Sequence, residues 1–582
     1  MADSATSRPR VVRAGPATAL LDGAFLRRVR VGGREVLRGV YAAVRDQNWD
    51  TVEPTFSRYQ LEEGPDSFRL RFTAEHRRGE VDFVWDGEYL GEPSGRLTFR
   101  LDGVCRTAFR KNRIGFCVLH PPEVAGTPYV RETPAGSIEE RFPERISPRR
   151  DVADMQALRY DVGPVGVSLR FEGDRFDMED QRNWTDASFK TFCTPLAQPY
   201  PVQMRAGDRI AQTVVVELSV APGTAPAAEQ RGGPDLAVGE RAAGTLPPIG
   251  LGAPFDGQPI AGTALERLRA LRPAHLRVEL DLRRAGWRDV LRAAEADTGA
   301  LGAGLDVALL ADAEGSGIEE AADALRAVAA PVVRVAAFAE KVWVTTEPLA
   351  ARLRAAGAGS PLGGGSRTDF AQLNMQAALV PFDRLDFVTY SVNPQVHAFD
   401  DVSIVETLGV HAETVASAHA LARGKPVVVG PVTLRPRFNP NATAAEPSSA
   451  PGAPPPHADP RQATAFAAAW TVGSIHRLAT GGAAALTYYE TAGPAGVLDA
   501  AGAPYPVHDV FAAIAGWTGA ELLELTLRDP LETAALALRR GGELLILVAN
   551  LTPDAREVAV ALPSGRRHHV RLGPYQATSL GP

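Results

Sequence analysis

From Ile249 onward, short runs of Val, Leu and Ile alternate with Ala- and Arg-rich segments of helical spacing, and the alternation repeats eight times. The strand-like runs are IGLGAP from Ile249, HLRVELDL from His275, DVALLAD from Asp306, VVRVAAFA from Val332, PLGGGSRTDF from Pro361, DFVTYSVN from Asp386, PVVVGPVTL from Pro426 and AALTYYET from Ala484. Between them lie segments such as ALERLRALRP, WRDVLRAAEAD and GIEEAADALRAVA, whose apolar residues recur at three- and four-residue intervals. A strand followed by a helix that returns to start the next strand builds a parallel sheet, and eight such units close into a (β/α)8 barrel.

The flanks read differently. From Arg28 to about Val220, short alternating segments such as RLRFTAEH, LTFRLDGV and IAQTVVVELSV are punctuated by Gly, Pro and Asp, the pattern of a β-sandwich. The Ala-, Gly- and Pro-rich stretch that follows has no apolar period and reads as a linker. After the barrel, ELTLRD, ELLILVANLT and REVAVALP alternate again. The expectation is a multidomain chain: a central (β/α)8 TIM barrel with an N-terminal β-sandwich and a small C-terminal β-sandwich. The domains are placed at 1–222, a linker at 223–246, the catalytic barrel at 247–518 and the last domain at 519–582.

The 582 residues exceed what one hydrophobic core can hold. The formal net charge of -7 gives no electrostatic reason to expect nucleic acid or an anionic membrane as partner. Three cysteines, Cys105, Cys117 and Cys193, lack CxxC spacing, which fits a reducing compartment and no structural zinc. The first residues carry no basic-then-apolar run, so a cytoplasmic protein is expected.

In such a barrel the reacting groups lie at the C-terminal ends of the strands and in the loops that follow. After strand 2 this selects Glu279 and Asp281; after strand 5, Ser366, Arg367 and Asn374; after strand 6, Tyr390, Asn393, Gln395 and His397. After strand 7 come Arg435 and Arg437, and after strand 8 Glu490. YSVNPQVHAFDD, 390–401, gathers amide, imidazole and carboxylate groups directly behind an apolar strand. Glu490, between aromatic neighbours, is a candidate acid or base, the bland alternative being an ion pair with Arg435 or Arg437. For Glu279 the bland alternative is an ion pair with Arg334.

Two N-terminal segments, FRKNRIGFCVLHP and FDMEDQRNWTDASFKTFCTPL, are too polar for plain strands. The chain uses Arg almost wherever a cation will do and keeps four lysines, of which Lys111 and Lys190 lie in these two segments, beside Asn112 and Asn183. A retained ammonium or amide hints at a need that Arg or Asp would not meet. Asp180, Asn183, Trp184 and Lys190 are therefore expected to touch substrate as well as to brace the fold, against the plainer reading of an internal network of Asp180, Arg182 and Asp186. No HxH, HExxH or GxSxG occurs, and Gly363 to Gly365 lack phosphate-loop spacing, so neither metal nor cofactor is expected.

GGGSRTDFAQLN on strand 5, YSVNPQVHAFDD on strand 6 and EDQRNWTDASFKTFCTPL in the first domain resemble the D-apionate lactonase family, over essentially the whole chain. The resemblance implies a hydrolase that opens D-apionolactone to D-apionate in bacterial catabolism of apiose, with a small sugar-acid lactone as its partner. It supplies no catalytic assignment. From position, Glu490 or Glu279 would activate water, His397 would protonate the leaving alkoxide, and Asn393, Arg435 or Lys190 would face the oxyanion. Tyr390, Gln395, Asn374, Asn183 and Trp184 would hold sugar hydroxyls, with Lys111 and Asn112 in support. A glycoside hydrolase is the alternative, although strand 7 continues as GPVTLRPRFNP without a carboxylate and only Glu340 stands after strand 4. A non-catalytic sugar-binding barrel is the second alternative.

Overall fold

The structure is a computed structural model that describes residues 9–148, 152, 154–220, 233–254, 257, 259–440 and 455–580. Two compact units divide the chain, one built on Met1–Arg182 and Ala187–Gly232, the other on Asn183–Asp186 with Gly233–Pro440 and the residues up to the C-terminus.

The first unit is a sandwich of antiparallel strands. One sheet runs in the order Arg10–Ala14, Ala17–Asp22, Phe25–Val31, Arg34–Asp46, Phe109–His120, Phe189–Phe192, Asp177–Asp180. The other holds nine strands, with Pro54–Glu63, Phe68–Arg78, Val81–Gly91 and Leu97–Cys105 forming a meander at one side. Val81–Gly91 shows why the alternating sequence folds this way: every second residue, from Val81 through Phe83, Trp85 and Tyr89, is buried. Phe72 meets Trp85 and Phe99 meets Tyr89 edge to face, and Phe116 meets Phe99 in the same way, in one continuous core.

In the second unit eight parallel strands close on themselves: β1 Ile249–Gly252, β2 His275–Asp281, β3 Gly304–Ala311, β4 Val332–Ala339, β5 Leu362–Gly365, β6 Phe387–Val392, β7 Val427–Val432 and β8 Ala485–Ala492. Pairing of β1 with β8 completes the barrel. Its interior is packed by Ala308, Leu310, Ala336, Phe338, Phe387, Val428 and Ala485. The intervening helices include α1 Gly262–Ala270, α2 Trp287–Leu301, α3 Ile318–Ala327, α4 Glu347–Ala356, α5 Phe370–Met375, α6 Asp401–Glu406, α7 His411–Leu421 and α8 Ala465–Thr480. In α2 the buried positions Trp287, Leu291, Ala294, Thr298 and Leu301 make one stripe, and Gly302 ends the helix in the left-handed region at φ +68°. No helix among the described residues is long and apolar enough to cross a membrane.

The last sheet departs from the expected boundary. Its seven strands include Leu236–Thr245, placed between Glu521–Leu527 and Arg556–Ala561. Part of the expected linker is thus a strand, and the C-terminal sheet borrows it from before the barrel. The remainder of the linker, through Gly232, lies outside the described residues. Leu236, Val238, Leu523, Ala535, Val548 and Val558 form that sheet's core.

Candidate active site

Strand parity decides what faces into the barrel. On β2 the inward residues are His275, Arg277 and Glu279, each two positions from the last. At the N-terminal end His275 Nε2 meets Thr487 Oγ1 at 2.8 Å, and Asp306 accepts from Arg334 at 2.8 Å. At the C-terminal end Glu279 accepts from Arg367 at 2.8 and 3.2 Å through Oε2, and from Arg437 through Oε1. Arg437 also donates to the Arg367 carbonyl at 2.7 Å. The Arg367 guanidinium lies 4.5 Å from the Phe438 ring centre, and Phe438 packs on Trp343 at 4.8 Å. Glu279 is therefore paired, with Arg367 and Arg437 in place of the expected Arg334. Burial alone would raise its pKa, but the charges of Arg437, Arg367 and Arg277 hold it far below the usual carboxylate range. A carboxylate engaged by two guanidinium groups is a weaker proton acceptor than a free one.

Residues 183–186 group with the barrel. Asn374, on α5, donates to Asn183 Oδ1 at 2.8 Å, and Thr185 Oγ1 donates to the Asn393 carbonyl at 2.8 Å in the loop after β6. His397, further along that loop, places Nδ1 2.6 Å from Asp186 Oδ2, and Trp184 meets the imidazole edge-on at 5.4 Å. Both members of the His397–Asp186 pair are about four-fifths buried, with side-chain exposures of 19% and 17%. The sequence placed Asp186 in a network with Asp180 and Arg182; its partner is instead the histidine.

On β8, strict alternation from Ala485 and Thr487 would turn Tyr489 inward. A break of register at Tyr489, φ +41°, sends its hydroxyl to Thr471 on α8 at 2.7 Å, and Glu490 comes to face His457, Oε1 to Nε2 3.5 Å. Neither arginine expected as its partner reaches Glu490. Arg435 pairs with Asp459 at 3.2 Å, and Arg437 with Glu279. Asp459 anchors the long loop after β7: burial would raise its pKa, but hydrogen bonds from Arg461 and Gln395 bring it down to about 2.

Several expected contacts are corrected. Tyr390 is fully buried and bonds Thr414 on α7 at 2.8 Å, because β6 presents Phe387, Thr389 and Ser391 inward and Tyr390 to the helices. Gln395, also buried, donates to Asp459 and the Leu434 carbonyl and accepts from Arg461, so it braces the loop with no face left for substrate. Asn393 Oδ1 accepts from Gln395 N at 3.4 Å, and among the described residues its amide nitrogen has no partner. In the first unit Asp180 holds Arg182 through both oxygens at 2.8 Å, Lys190 pairs with Glu179, and Asn112 donates to the Gln47 carbonyl at 3.1 Å. Burial lowers the Lys111 pKa. These four residues lie in the sandwich unit, whereas Asn183 and Trp184 group with the barrel. His457 was not foreseen; its APPPHAD surroundings carry no periodic signal. Among the described residues no three His, Cys, Asp or Glu side chains converge closely enough to hold a metal ion.

Residues 1–221, 249–519 and 530–580 match in turn the models of the D-apionate lactonase N-terminal domain, TIM barrel domain and C-terminal immunoglobulin-like domain. A D-apionate lactonase of Brucella anthropi is 30% identical, the alignment covering 99% of this chain and 97% of that one. Among solved structures, a glycoside hydrolase family 30 endoxylanase of Clostridium papyrosolvens is 11% identical over 59% of this chain and 98% of its own, with a TM-score of 0.42. A family 30 xylanase of Clostridium acetobutylicum is also 11% identical, over 59% and 98%, with a TM-score of 0.41. The xylanase likenesses are faint, while the domain models and the Brucella relative span nearly the whole chain: it belongs to the D-apionate lactonase family.

Proposed function

We propose that this hydrolase opens D-apionolactone to D-apionate, as a step in apiose catabolism, at the C-terminal mouth of its barrel. Membership of the family, and the match to the Brucella relative along almost all of both chains, support the substrate. The observation that carries the chemistry is the 2.6 Å contact of His397 Nδ1 with Asp186. A carboxylate at Nδ1 fixes the imidazole tautomer and steadies its protonated form, which leaves Nε2 as the nitrogen that takes a proton from water. The water oxygen then adds to the lactone carbonyl carbon, the ring C–O bond breaks, and the proton held by His397 passes to the departing ring oxygen. The sequence-level assignment is thus revised: His397 is base first and acid second. Glu490 and His457, with Asn374, Asn183 and Trp184, are left to hold the ring hydroxyls. A glycosidase reading is disfavoured because the loop after β7 offers Arg435 and Arg437 where a nucleophilic carboxylate would stand.

Proton release, followed with an indicator dye on mixing the chain with a panel of aldonolactones, tests the reading. Release fastest with D-apionolactone is expected. No release above the buffer rate from any lactone would overturn it.

A further inference from the structure

The barrel interior carries more positive charge than it neutralises. Arg277, Arg334, Arg367 and Arg437 project into one column where, among the described residues, Asp306 and Glu279 are the carboxylates paired with them, a surplus of two positive charges. His275, in the same column, is held neutral by burial. Buried charge of one sign is costly unless a counter-charge arrives. The other carboxylates at this end have partners of their own: Asp281 and Glu340 share Arg283, Asp459 holds Arg461 and Arg435, and Asp186 and Glu490 face imidazoles. Lower in the column, Arg277 Nε is buried with no hydrogen-bond partner among the described residues. The Arg367 and Arg437 guanidinium groups are held in place by Glu279 and Phe438 but still about one-fifth exposed, at 17% and 21%.

We propose that Arg367 and Arg437 form an anion subsite that takes the carboxylate of a sugar acid, so that the protein binds its ring-opened product in preference to neutral sugars. The inference rests on the lactonase reading for its ligand. A lactone arrives uncharged, and negative charge appears first on the carbonyl oxygen of the tetrahedral intermediate and then on the product carboxylate. A preformed guanidinium pair favours both charged species over the neutral substrate, so it speeds the addition step and retains the product. Glu279 then acts as a competitor and a positioning residue: it holds the two arginines in register and spends part of their charge.

Calorimetric titration of the full chain with sodium D-apionate, against the uncharged polyol of the same carbon skeleton, reads the subsite directly. The carboxylate is expected to bind at least roughly tenfold more tightly than the polyol, the value of one charge-assisted hydrogen bond. Arg437→Gln should bring the two to parity, and Glu279→Gln should tighten carboxylate binding and deepen product inhibition. If Arg437→Gln fails to fold because Glu279 loses a partner, Glu279→Gln/Arg367→Gln/Arg437→Gln removes all three charges together and should likewise bind both ligands equally. Equal binding by the wild type, or a preference that survives either arginine variant, overturns the subsite. Lactone turnover without carboxylate preference would sink the subsite alone; Arg437-dependent carboxylate binding without turnover of any lactone would sink the lactonase reading alone.

Discussion

At the scale of single residues, the pairs at the barrel mouth divide the labour. His397→Ala is expected to lower kcat by roughly 10²-fold or more, the usual contribution of a positioned general base, with a smaller change in KM. Asp186→Asn should lower kcat as well, because an amide can no longer stabilise the imidazolium, and should leave the melting temperature close to wild type. Initial rates over a range of lactone concentrations for both variants check this; a wild-type kcat in either would remove the pair from the mechanism. The residue scale is also where sequence reasoning was least able to see. His397 and Asp186 stand 211 positions apart, and nothing in one chain reports such a meeting. Tyr390 is placed differently for another reason: it opens the polar segment 390–401 but still lies within β6, where strand alternation sends it to Thr414. Glu490 stands out in the sequence because a carboxylate at a strand end is conspicuous, while the register break that turns it toward His457 is invisible without a backbone.

At the scale of elements, β5 shows how a glycine run serves packing. A Cβ on Gly363 would stand 2.2 Å from the Phe387 ring and one on Gly364 2.2 Å from Thr345 Oγ1, while Gly365 sits at φ +129° against the Thr389 carbonyl. The run LGGG therefore leaves the room that the Phe387 ring, the Thr345 side chain and the Thr389 carbonyl occupy. Gly364→Ala should destabilise the barrel by about 1–3 kcal/mol, as overpacking does, and lower the melting temperature with lactone turnover falling in parallel. An unchanged melting temperature would contradict this account. The eight barrel strands were legible because a buried parallel strand is an unbroken apolar run, as in β3, where all positions from Gly304 to Ala311 are buried. Leu236–Thr245 was not, since LAVGERAAGT buries only Leu236 and Val238 and is Ala- and Gly-rich for the rest.

The whole molecule has an acid sensitivity distributed over both units. In the first, burial lowers His76 to about 4 and His120 to about 3; in the second, it lowers His275, His411 and His476 to about 3. His76 is locked as a neutral ring, with Nδ1 on the Val52 carbonyl and Nε2 accepting from Trp85. In the unfolded chain each would titrate at the ordinary histidine value of 6.5. Below that pH the unfolded chain binds more protons than the folded one, so stability is complete above about pH 6.5 and falls as pH drops. One pH unit lower, each buried histidine costs about 1.4 kcal/mol. Melting temperatures measured from pH 8 down to about 5 should be flat and then fall steeply below about 6.5; a flat curve throughout would refute the assignment.

The grouping of residues 183–186 with the barrel bears on how such a gene can be cut and recombined. A fragment beginning at Gly233 would encode every barrel strand and the final sheet, but it would lack the four codons that place Asp186 beside His397. Exchange of the N-terminal coding region between relatives therefore exchanges the partner of His397 along with it, and on the proposed mechanism a recombinant that preserves the barrel intact is expected to be silenced or retuned at that single junction.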